Sequence, residues 1–385
     1  MSGTGARLWN IAETTYVVKR RTETGEKVVN NYRLLQTIGQ GRFSKVKLCE
    51  RLVNSGVADA ANGWADGNSA VVSLPLPAFA PPKASLFAMK IYSKKMLRRL
   101  KDYCTEKPLG RDTDTDLDAV PIKMRTVTAL DRVRDEIQIM RSLYHRNIVL
   151  LYEVIEADNS DKLFLVLEYM ASGPCMVYRA DRKDFYSRVT GSVLSEDLAR
   201  SYLSDILLGL QYLHLRRVCH RDIKPDNILV SGSGRCHMSD FNCAKVFCGG
   251  PTGGFAGDDD DNAADQVFVS DTVGTYQFLA PECCSGDPYN PFKADIWAVG
   301  VVFYIFLSGR LPFASESTRG LFEEILHADI LLPERCGREL PLSCEGSNLL
   351  FRLLEKYPAN RITIEDALSH PWFVQIEEDE QPLSF

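Results

Sequence analysis

Two short stretches constrain this chain more than any other feature: Cys-His-Arg-Asp-Ile-Lys-Pro-Asp-Asn at residues 219–227 and Asp-Phe-Asn at residues 240–242. Asp222 and Asn227 lie five residues apart, and Asp240 follows Asn227 by thirteen residues. We expect two carboxylates and an amide on neighbouring loops. Phosphoryl transfer needs a carboxylate that orients the attacking hydroxyl and hard oxygen ligands for the metal that neutralises the phosphates. The spacing therefore predicts that Asp222 acts on a hydroxyl and that Asn227 and Asp240 bind magnesium.

His-Arg-Asp-x-x-x-x-Asn followed by Asp-Phe-x is the signature of protein kinases, and the chain resembles that family. The resemblance implies an α+β bilobal fold: a small N-lobe with an antiparallel β-sheet and one main helix, and a larger, mostly α-helical C-lobe. It also implies ATP and Mg²⁺ as cofactors and a protein as substrate. The predicted divisions are an N-terminal extension at 1–31, a kinase domain at 32–373 and an acidic tail at 374–385. Within the domain they are an N-lobe at 32–167, a hinge at 168–172, a C-lobe at 173–373, and insertions at 52–85, 93–125 and 249–266.

The N-lobe begins with a strand, a glycine-containing turn and a second strand. Gly39 and Gly41 would let backbone N–H groups close over phosphates, although a plain tight turn would also explain them, and Ser44 replaces the usual third glycine. The strand at 87–92 then carries Lys90 between apolar neighbours, and a buried lysine is costly unless it is paired. The resemblance implies that phosphates and Glu136 hold Lys90.

Another apolar strand at 163–167 precedes the hinge, where the family binds adenine through backbone groups. Leu167 would guard the back of that pocket. The nucleotide-binding residues implied by the resemblance are Ile38, Gly39, Gln40, Gly41, Arg42, Phe43, Ser44, Lys45, Val46, Ala88, Lys90, Leu167, Glu168, Met170, Leu229 and Asp240.

Residues around the centre indicate the type of hydroxyl. Lys224 is typical of Ser/Thr kinases and would neutralise the transferring phosphoryl group, while Thr275 is placed to bridge Asp222 and Lys224. The predicted catalytic residues are Asp222, Lys224, Asn227, Lys90, Glu136 and Thr275. Glu282 and Arg361 are expected to form a buried ion pair, and Asp295 to accept backbone N–H bonds from the catalytic loop.

Asn242 departs from the family pattern, which has glycine there. Glycine permits backbone angles closed to most residues, and asparagine tolerates positive φ better than other side chains. We expect the magnesium site to survive with a stiffer switch between active and inactive arrangements. The alternative is a pseudokinase scaffold that binds nucleotide or partners without transferring phosphate.

The chain resembles in particular the calcium/calmodulin-dependent protein kinase kinases and their fungal and plant counterparts. The residues that carry this resemblance are Lys-Lys-Met-Leu at 94–97, Gly-Pro-Cys-Met at 173–176, Asp-Thr-Val-Gly-Thr at 271–275 and the run at 293–301. It implies that the substrate is the activation-loop threonine of a downstream kinase. A calmodulin-kinase-group enzyme acting on basic peptides is the alternative. The residues after Phe373 are acidic rather than basic and amphipathic, so no calmodulin-binding helix is expected there.

Net charge and the length of the apolar runs limit the kinds of partner that we expect for this protein. A net charge of −6 argues against nucleic acid. The longest apolar run, at 296–307, is too short to span a bilayer, and no signal region is visible at the start, so we expect no membrane segment and a cytoplasmic protein. The eleven cysteines are expected to be reduced thiols.

Four segments outside the motifs receive simpler predictions. Residues 1–30 are expected to be an irregular, loosely packed tail, and 52–85 a flexible loop. The basic and then acidic run at 93–125 reads as a solvated surface segment, or as an insert that docks a partner. In the activation segment, taken as residues 240–282, the aspartates at 258–261 are expected to be solvated. The alternative is that they pair with Arg221 in place of a phosphate, and Thr272 is an alternative phosphorylation site.

Overall fold

A computed structural model of the protein describes residues 11–41, 43–52, 86–106, 123–247, 267–332 and 342–374. Arg42, nearly all of the first insertion, the activation-segment insertion with its aspartates at 258–261, and the tail after Val374 lie outside these residues. The chain divides into two compact units: unit 1 comprises residues 1–134 and 150–169, and unit 2 comprises 135–149 and 170–385.

Unit 1 contains the larger of the described sheets, and one helix begins in it and ends in unit 2. The elements from residue 12 to residue 168 are β1 (Ala12–Thr14), β2 (Lys19–Arg21), β3 (Lys27–Val29), β4 (Tyr32–Gln40), β5 (Ser44–Arg51), β6 (Leu86–Ser93), α1 (Lys94–Arg99), β7 (Lys101–Glu106), β8 (Lys123–Thr128), α2 (Ala129–Ser142), β9 (Leu151–Glu156) and β10 (Lys162–Glu168).

Eight strands form the sheet in the order β1-β9-β10-β6-β5-β4-β3-β2. The pairs β3–β4, β4–β5, β5–β6, β6–β10 and β9–β10 are antiparallel, whereas β1 lies parallel to β9. Side chains alternate across a strand, so one face of β6 carries Phe87 and Met89 into a buried cluster with Cys49 and Val166. The opposite face of the same strand carries Ala88 and Lys90.

The predicted irregular tail is wrong for residues 12–29, which form β1, β2 and β3. Asn30 is the reason that this segment is ordered: its side chain accepts a hydrogen bond from Val18 N at 2.8 Å and donates one to Tyr16 O at 3.1 Å. Val28 and Val29 are buried beside it. The polar composition of residues 12–29 did not indicate that one buried amide and two buried valines hold this segment in place.

The expectation of a solvated segment at 93–125 is wrong for Lys94 but is confirmed for the other basic residues of the run, which are exposed: Lys95, Arg98, Arg99 and Lys101. Strands β7 and β8 pair in antiparallel register from Lys101 opposite Thr128 to Glu106 opposite Lys123. Lys94, counted in the basic run, is 3% exposed, and its Nζ donates to the carbonyl of Ala157 at 2.7 Å. Residues 107–122 lie outside the described residues.

Unit 2 is mostly helical. Its remaining strands are β11 (Gly173–Pro174), β12 (Val177–Arg179), β13 (Asp184–Tyr186), β14 (Val218–Cys219), β15 (Ile228–Val230), β16 (Cys236–Met238) and β17 (Lys245–Val246). Its further helices are α3 (Glu196–Leu215), α4 (Pro281–Cys284), α5 (Pro291–Ser308), α6 (Thr318–His327), α7 (Cys344–Leu353), α8 (Ile364–Leu368) and α9 (Pro371–Val374), with 3₁₀ turns at Pro225–Asn227, Phe241–Cys243 and Tyr276–Phe278.

Ser195 with the acidic residues after it, and apolar residues at helical spacing from 203 to 213, predict a helix, and α3 is present there. Ser195 caps it by accepting a hydrogen bond from Leu198 N at 3.2 Å, with Glu196 and Asp197 in the first turn, where acidic residues favour the helix dipole. The apolar residues expected to face the core are all buried: Leu203, Ile206, Leu207, Leu210 and Leu213. This helix ends immediately before the strand that leads into the predicted catalytic loop.

Helix α5 is the apolar centre of unit 2. By length and composition it is a candidate membrane span, but 89% of its residues are buried inside the unit, as expected for a core helix of a folded domain. Pro291 occupies the first turn, and Asn290 caps the helix by accepting from Phe292 N at 2.9 Å. Asp295, in the second turn, is 2% exposed. Burial of this carboxylate demands polar partners, which the catalytic loop supplies.

Candidate active site

The loop at residues 219–227, here called the catalytic loop, is held from below by Asp295. One carboxylate oxygen of Asp295 accepts from His220 N at 2.9 Å, and the other accepts from Arg221 N at 2.8 Å. Both contacts were expected from the sequence. Arg221 has φ +65°, in the left-handed region that a non-glycine residue rarely adopts. The two bonds to a buried carboxylate offset the cost of that conformation.

His220 connects the catalytic loop to the strand that precedes Asp240. Asp222 N donates to His220 Nδ1 at 3.3 Å, so Nε2 carries the proton and donates to the carbonyl of Ser239 at 3.0 Å. Ser239 in turn donates from Oγ to the carbonyl of Asn227 at 3.0 Å. These bonds fix the relative positions of the two short motifs.

Four predicted catalytic side chains meet in one hydrogen-bonded cluster. Asp222, which is 7% exposed, accepts from Lys224 Nζ at 2.8 Å and from Asn227 Nδ2 at 3.0 Å, both on Oδ2. Thr275 Oγ1 donates to Asp222 Oδ1 at 2.8 Å and accepts from Lys224 Nζ at 2.8 Å. The predicted bridge of Thr275 between Asp222 and Lys224 is therefore present. The buried carboxylate is orientated from both of its oxygens.

Asn227 and Asp240 offer oxygen ligands for a hard cation. Because the amide nitrogen of Asn227 donates to Asp222, to its carbonyl at 2.8 Å as well as to its carboxylate, the amide oxygen is the atom that can bind a metal. Asp240 contributes a carboxylate from a left-handed conformation with φ +61°. Carboxylate and amide oxygens are the ligands that magnesium prefers. The donor set fits the predicted ion.

The backbone at Asn242 does not have the positive φ that was expected from the glycine of the family pattern. This residue lies in the 3₁₀ turn Phe241–Cys243 and does not have a positive φ, whereas Asp240 before it does. Its amide donates to the Asp240 carboxylate at 3.3 Å. The argument that asparagine is tolerated for its left-handed φ is therefore wrong for this conformation. Asn242 instead acts as a polar neighbour of the predicted metal ligand.

Cys243 follows directly and was not recognised in the sequence. Burial raises the pKa of its thiol to about 11, and the negative charges of Asp222 and Asp240 act in the same direction. The thiol is protonated at neutral pH and is a poor nucleophile. It is a structural neighbour of the site.

In unit 1, five of the predicted nucleotide-binding residues share a face of the sheet. Lys90 is paired with Val46 on β5 and with Leu165 on β10, while Ala88 is paired with Leu167. Gly39 on β4 is paired with Val46. Directly paired residues project to the same face of a sheet, and so do residues two apart on one strand. Gly39, Val46, Ala88, Lys90 and Leu167 therefore lie on one face, opposite to the buried cluster of Phe87 and Met89.

The turn between β4 and β5 brings Gly41 close to Ser44. Gly41 N donates to the Ser44 carbonyl at 2.9 Å, which closes the turn. A Cβ on Gly41 would lie 2.9 Å from Ser44 Oγ, closer than normal packing allows. The side chain of Ser44, which replaces the third glycine of the family pattern, thus lies close to the place that a Cβ on Gly41 would occupy.

The other predicted site residues are distributed over both units. Ile38 and Gln40 are exposed on β4, Lys45 is exposed on β5, and Phe43 is partly buried beside the turn. Glu168 ends β10, whereas Met170 is the first residue of the next segment of unit 2. Glu136 is 2% exposed on α2, and Leu229 is partly buried in the centre of β15.

The expected ion pair between Glu282 and Arg361 is present and bidentate. Arg361 Nη1 lies 2.6 Å from Glu282 Oε1, and Nη2 lies 2.9 Å from Oε2. The Arg361 side chain is fully buried, and its Nη1 also donates to the carbonyl of Lys293 at 2.8 Å. This pair fixes the end of the activation segment to the start of α5.

Asp271 is the most important contact that the sequence did not identify. Its carboxylate lies 2.9 Å from Arg221 Nη2. The sequence offered the aspartates at 258–261 only as an alternative acidic partner for Arg221, and they lie outside the described residues. The presence of an acidic residue four positions before Thr275 is the sequence signal from which this contact with Arg221 could have been predicted.

Comparison with known proteins agrees with this geometry. The protein kinase domain family matches residues 119–373. The serine/threonine-protein kinase GRIK1 of Arabidopsis thaliana is 31% identical over 373 residues, covering 96% of this chain and 74% of that protein. SNF1-activating kinase 1 of Saccharomyces cerevisiae is 30% identical, covering 92% of this chain and 29% of that protein. A calcium/calmodulin-dependent protein kinase kinase of Caenorhabditis elegans is 30% identical, covering 93% of this chain and 56% of that protein.

Proposed function

The chain belongs to the protein kinase family and is a protein serine/threonine kinase, and from this premise we propose that its substrate is another protein kinase. The acceptor in this proposal is the hydroxyl of a threonine in the activation segment of that kinase. ATP, the phosphate donor of the protein kinase domain, supplies the γ-phosphoryl group.

One observation carries the choice of substrate. SNF1-activating kinase 1, whose name states that it activates another kinase, aligns with 92% of this chain. The alignment with a kinase kinase of Caenorhabditis elegans, over 93% of this chain, supports the same choice. Both alignments include the motifs around Asp222 and Asp240, and both extend well beyond them.

In this proposal Asp222 orients the acceptor hydroxyl and takes up its proton as the new P–O bond forms. Its two oxygens are already fixed by Lys224, Asn227 and Thr275 at 2.8 to 3.0 Å. A carboxylate that need not reorganise during the reaction lowers the barrier by positioning alone. A positioned general base contributes about 10²- to 10⁴-fold to the rate.

Lys224 has a second role in the proposal, because its ammonium group carries the positive charge of this cluster. It is 21% exposed and is directed by Thr275 as well as by Asp222. We propose that it stabilises the charge on the phosphoryl group during transfer. Magnesium, when bound, neutralises the phosphate oxygens, and Asn227 and Asp240 are the proposed ligands.

The proposed nucleotide contacts in unit 1 follow from the sheet face that carries Lys90. The backbone N–H groups of the β4–β5 turn bind phosphates, and the ammonium group of Lys90 adds a charge-assisted contact. Ala88 and Leu167 offer a small, apolar surface next to it, suited to the adenine ring. Glu136 is proposed to orient Lys90.

The test is a radiolabelled phosphate-transfer assay with two substrates. One is a catalytically inactive SNF1-type kinase with its activation segment intact, and the other is a basic peptide of the type used for calmodulin-group kinases. We expect transfer to the segment threonine and none when that threonine is replaced by alanine. An Asp222→Asn protein is the control and should lose about 10²- to 10⁴-fold in rate.

Two outcomes would contradict the proposal in different ways. Phosphorylation of the basic peptide alone would overturn the choice of substrate and leave the kinase activity intact. Equal background from the wild-type and Asp222→Asn proteins would contradict the role of Asp222. The cytoplasmic location stays a prediction.

A further inference from the structure

Arg221 presents a buried positive charge at the edge of the active site. Its side chain is 6% exposed, and within the described part of the chain its Nε is a buried nitrogen without a hydrogen-bond partner. Burial of a cation is costly unless an anion pairs with it. The two bonds of the catalytic loop to Asp295 fix the position of Arg221. The anion that pairs with it must therefore be supplied by another segment that reaches the arginine.

Asp271 of the activation segment supplies that anion. Nη2 of Arg221 lies 2.9 Å from Asp271 Oδ2 and also donates to the Asp271 carbonyl at 3.0 Å. Tyr289 OH donates to the same carbonyl at 2.9 Å. The Asp271 side chain is 54% exposed and therefore keeps contact with water while it neutralises the arginine. The backbone carbonyl and the carboxylate of Asp271 thus both contact Arg221.

The segment that Asp271 fixes is the one that carries Thr275. Val269 and Tyr289 exchange two backbone hydrogen bonds of 2.9 Å just before it. Gly274, just after it, has φ +100° and packs so closely on the catalytic loop that a Cβ there would lie 2.5 Å from the Arg221 carbonyl. Thr275 then reaches Asp222 and Lys224. The ion pair is therefore one of a short series of contacts that place the Thr275 hydroxyl.

In many kinases a phosphorylated residue of the activation segment pairs with an arginine and orders the segment. We propose that in this protein Asp271 is a positioning residue that takes the place of such a phosphate, so that the kinase is active without phosphorylation of its own activation segment. Thr272, the alternative phosphorylation site, donates its hydroxyl to the Cys283 carbonyl at 3.3 Å. The contact between Arg221 and Asp271 needs no modification of that hydroxyl.

The first arm of the test uses the wild-type protein. It is treated with a broad-specificity phosphatase, shown by mass spectrometry to carry no phosphate, and assayed for initial rate on a Ser/Thr peptide before autophosphorylation accumulates. We expect kcat to stay within about twofold of the untreated enzyme. The same result is expected for Thr272→Ala, which removes the nearest phosphorylatable hydroxyl. Loss of activity on dephosphorylation would overturn the proposal.

The second arm tests Asp271 itself. We expect Asp271→Asn to lower kcat by about tenfold or more, with KM for ATP within about twofold, because the nucleotide contacts are not altered. Asp271→Glu keeps the charge and should restore part of the loss. Asp287→Asn removes an exposed carboxylate from the same region and should leave kcat unchanged. Full activity of Asp271→Asn would overturn the proposal.

A double mutant shows whether Asp271 acts through Arg221. In the background of Arg221→Gln, the further change Asp271→Asn should cost little, because the partner is already absent. Additive losses would contradict the proposal. If Asp271→Asn fails to fold, as judged by thermal unfolding, the phosphatase arm and the Asp271→Glu variant still decide. The choice of a kinase as physiological substrate does not enter any of these measurements.

Discussion

At the residue scale, the hydroxyl of Thr275 performs two functions at once, as a donor and as an acceptor. It donates to Asp222 Oδ1 and accepts from Lys224 Nζ, both at 2.8 Å. A hydroxyl is a donor and an acceptor at once, whereas ammonium groups only donate and carboxylates only accept. Thr275 therefore links the two charged groups without adding charge.

Thr275→Val should lower kcat by about 10- to 100-fold, since it removes the two hydrogen bonds that position Asp222 and Lys224 for transfer. Valine keeps the shape and the β-branch, so stability should change little. Thr275→Ser retains the hydroxyl and is the matched control. The measurement is steady-state phosphate transfer, and a Val variant as active as the Ser variant would contradict the assigned contact.

Asn242 lies at the same scale and shows that a deviating motif residue need not be strained. Its φ is not positive, and its amide donates to Asp240 at a long 3.3 Å from an exposed position. Replacement by the usual glycine therefore relieves no strain and removes one weak bond. We expect Asn242→Gly to keep kcat within about fivefold of the wild type. A gain of tenfold or more would show that asparagine restrains the enzyme.

At the scale of elements, the activation segment and the catalytic loop form one assembly, in which the contacting residues Arg221 and Asp271 are fifty positions apart in the chain. Asp295 holds the loop, Asp271 holds the segment to the loop, and Gly274 allows the closest approach between them. The ion pair of Glu282 with Arg361 fixes the far end of the segment. Asp295, Asp271 and Glu282 each contribute a carboxylate, but they act at different points of the assembly.

Gly274→Ala should reduce kcat by about 100-fold, because a Cβ would meet the Arg221 carbonyl at 2.5 Å in addition to the cost of φ +100°. Gly286→Ala is the matched control, since Gly286 has φ +87° but nothing within 4 Å of the added carbon. It should cost about 1 kcal/mol of stability and little activity. Comparison of the two variants by kcat and thermal unfolding separates backbone strain from the clash. Equal activities would show that the close approach has no role.

At the scale of the whole molecule, the described cysteines are free thiols that are mostly buried in the two units. Burial raises the pKa of Cys49, Cys283 and Cys284 to about 12 and that of Cys243 to about 11. An unfolded chain ionises its thiols near pH 9, so each raised pKa stabilises the fold below that pH. This stabilisation is lost as the pH rises from 9 through the folded value.

The free energy of unfolding should therefore fall as the pH increases from 8.5 to 10.5. For Cys243 alone the loss is roughly 1.4 kcal/mol per pH unit between its unfolded and folded pKa values. Cys243→Ala should show a correspondingly smaller decrease than the wild type over this interval. Denaturant unfolding at fixed pH values measures the difference. A constant difference from pH 8.5 to 10.5 would contradict the raised pKa.

The sequence by itself determined the fold class and the chemical centre of this protein. Phosphoryl transfer restricts residue types at short, fixed spacings, so Asp222, Lys224, Asn227 and Asp240 could be recognised within about twenty residues of chain. Repeated apolar spacing likewise predicted α3 and the strand with Lys90, because burial of one face follows from local periodicity. These inferences needed no knowledge of which distant segments meet.

Only the tertiary structure decided which groups become neighbours across long stretches of chain. Asp271 pairs with Arg221 across fifty residues, Asn30 folds back on Tyr16 and Val18 to order the first strands, and Lys94 is buried against Ala157. Such pairs depend on strand register and packing rather than on composition. The sequence alone does not show whether a polar residue is solvated or buried.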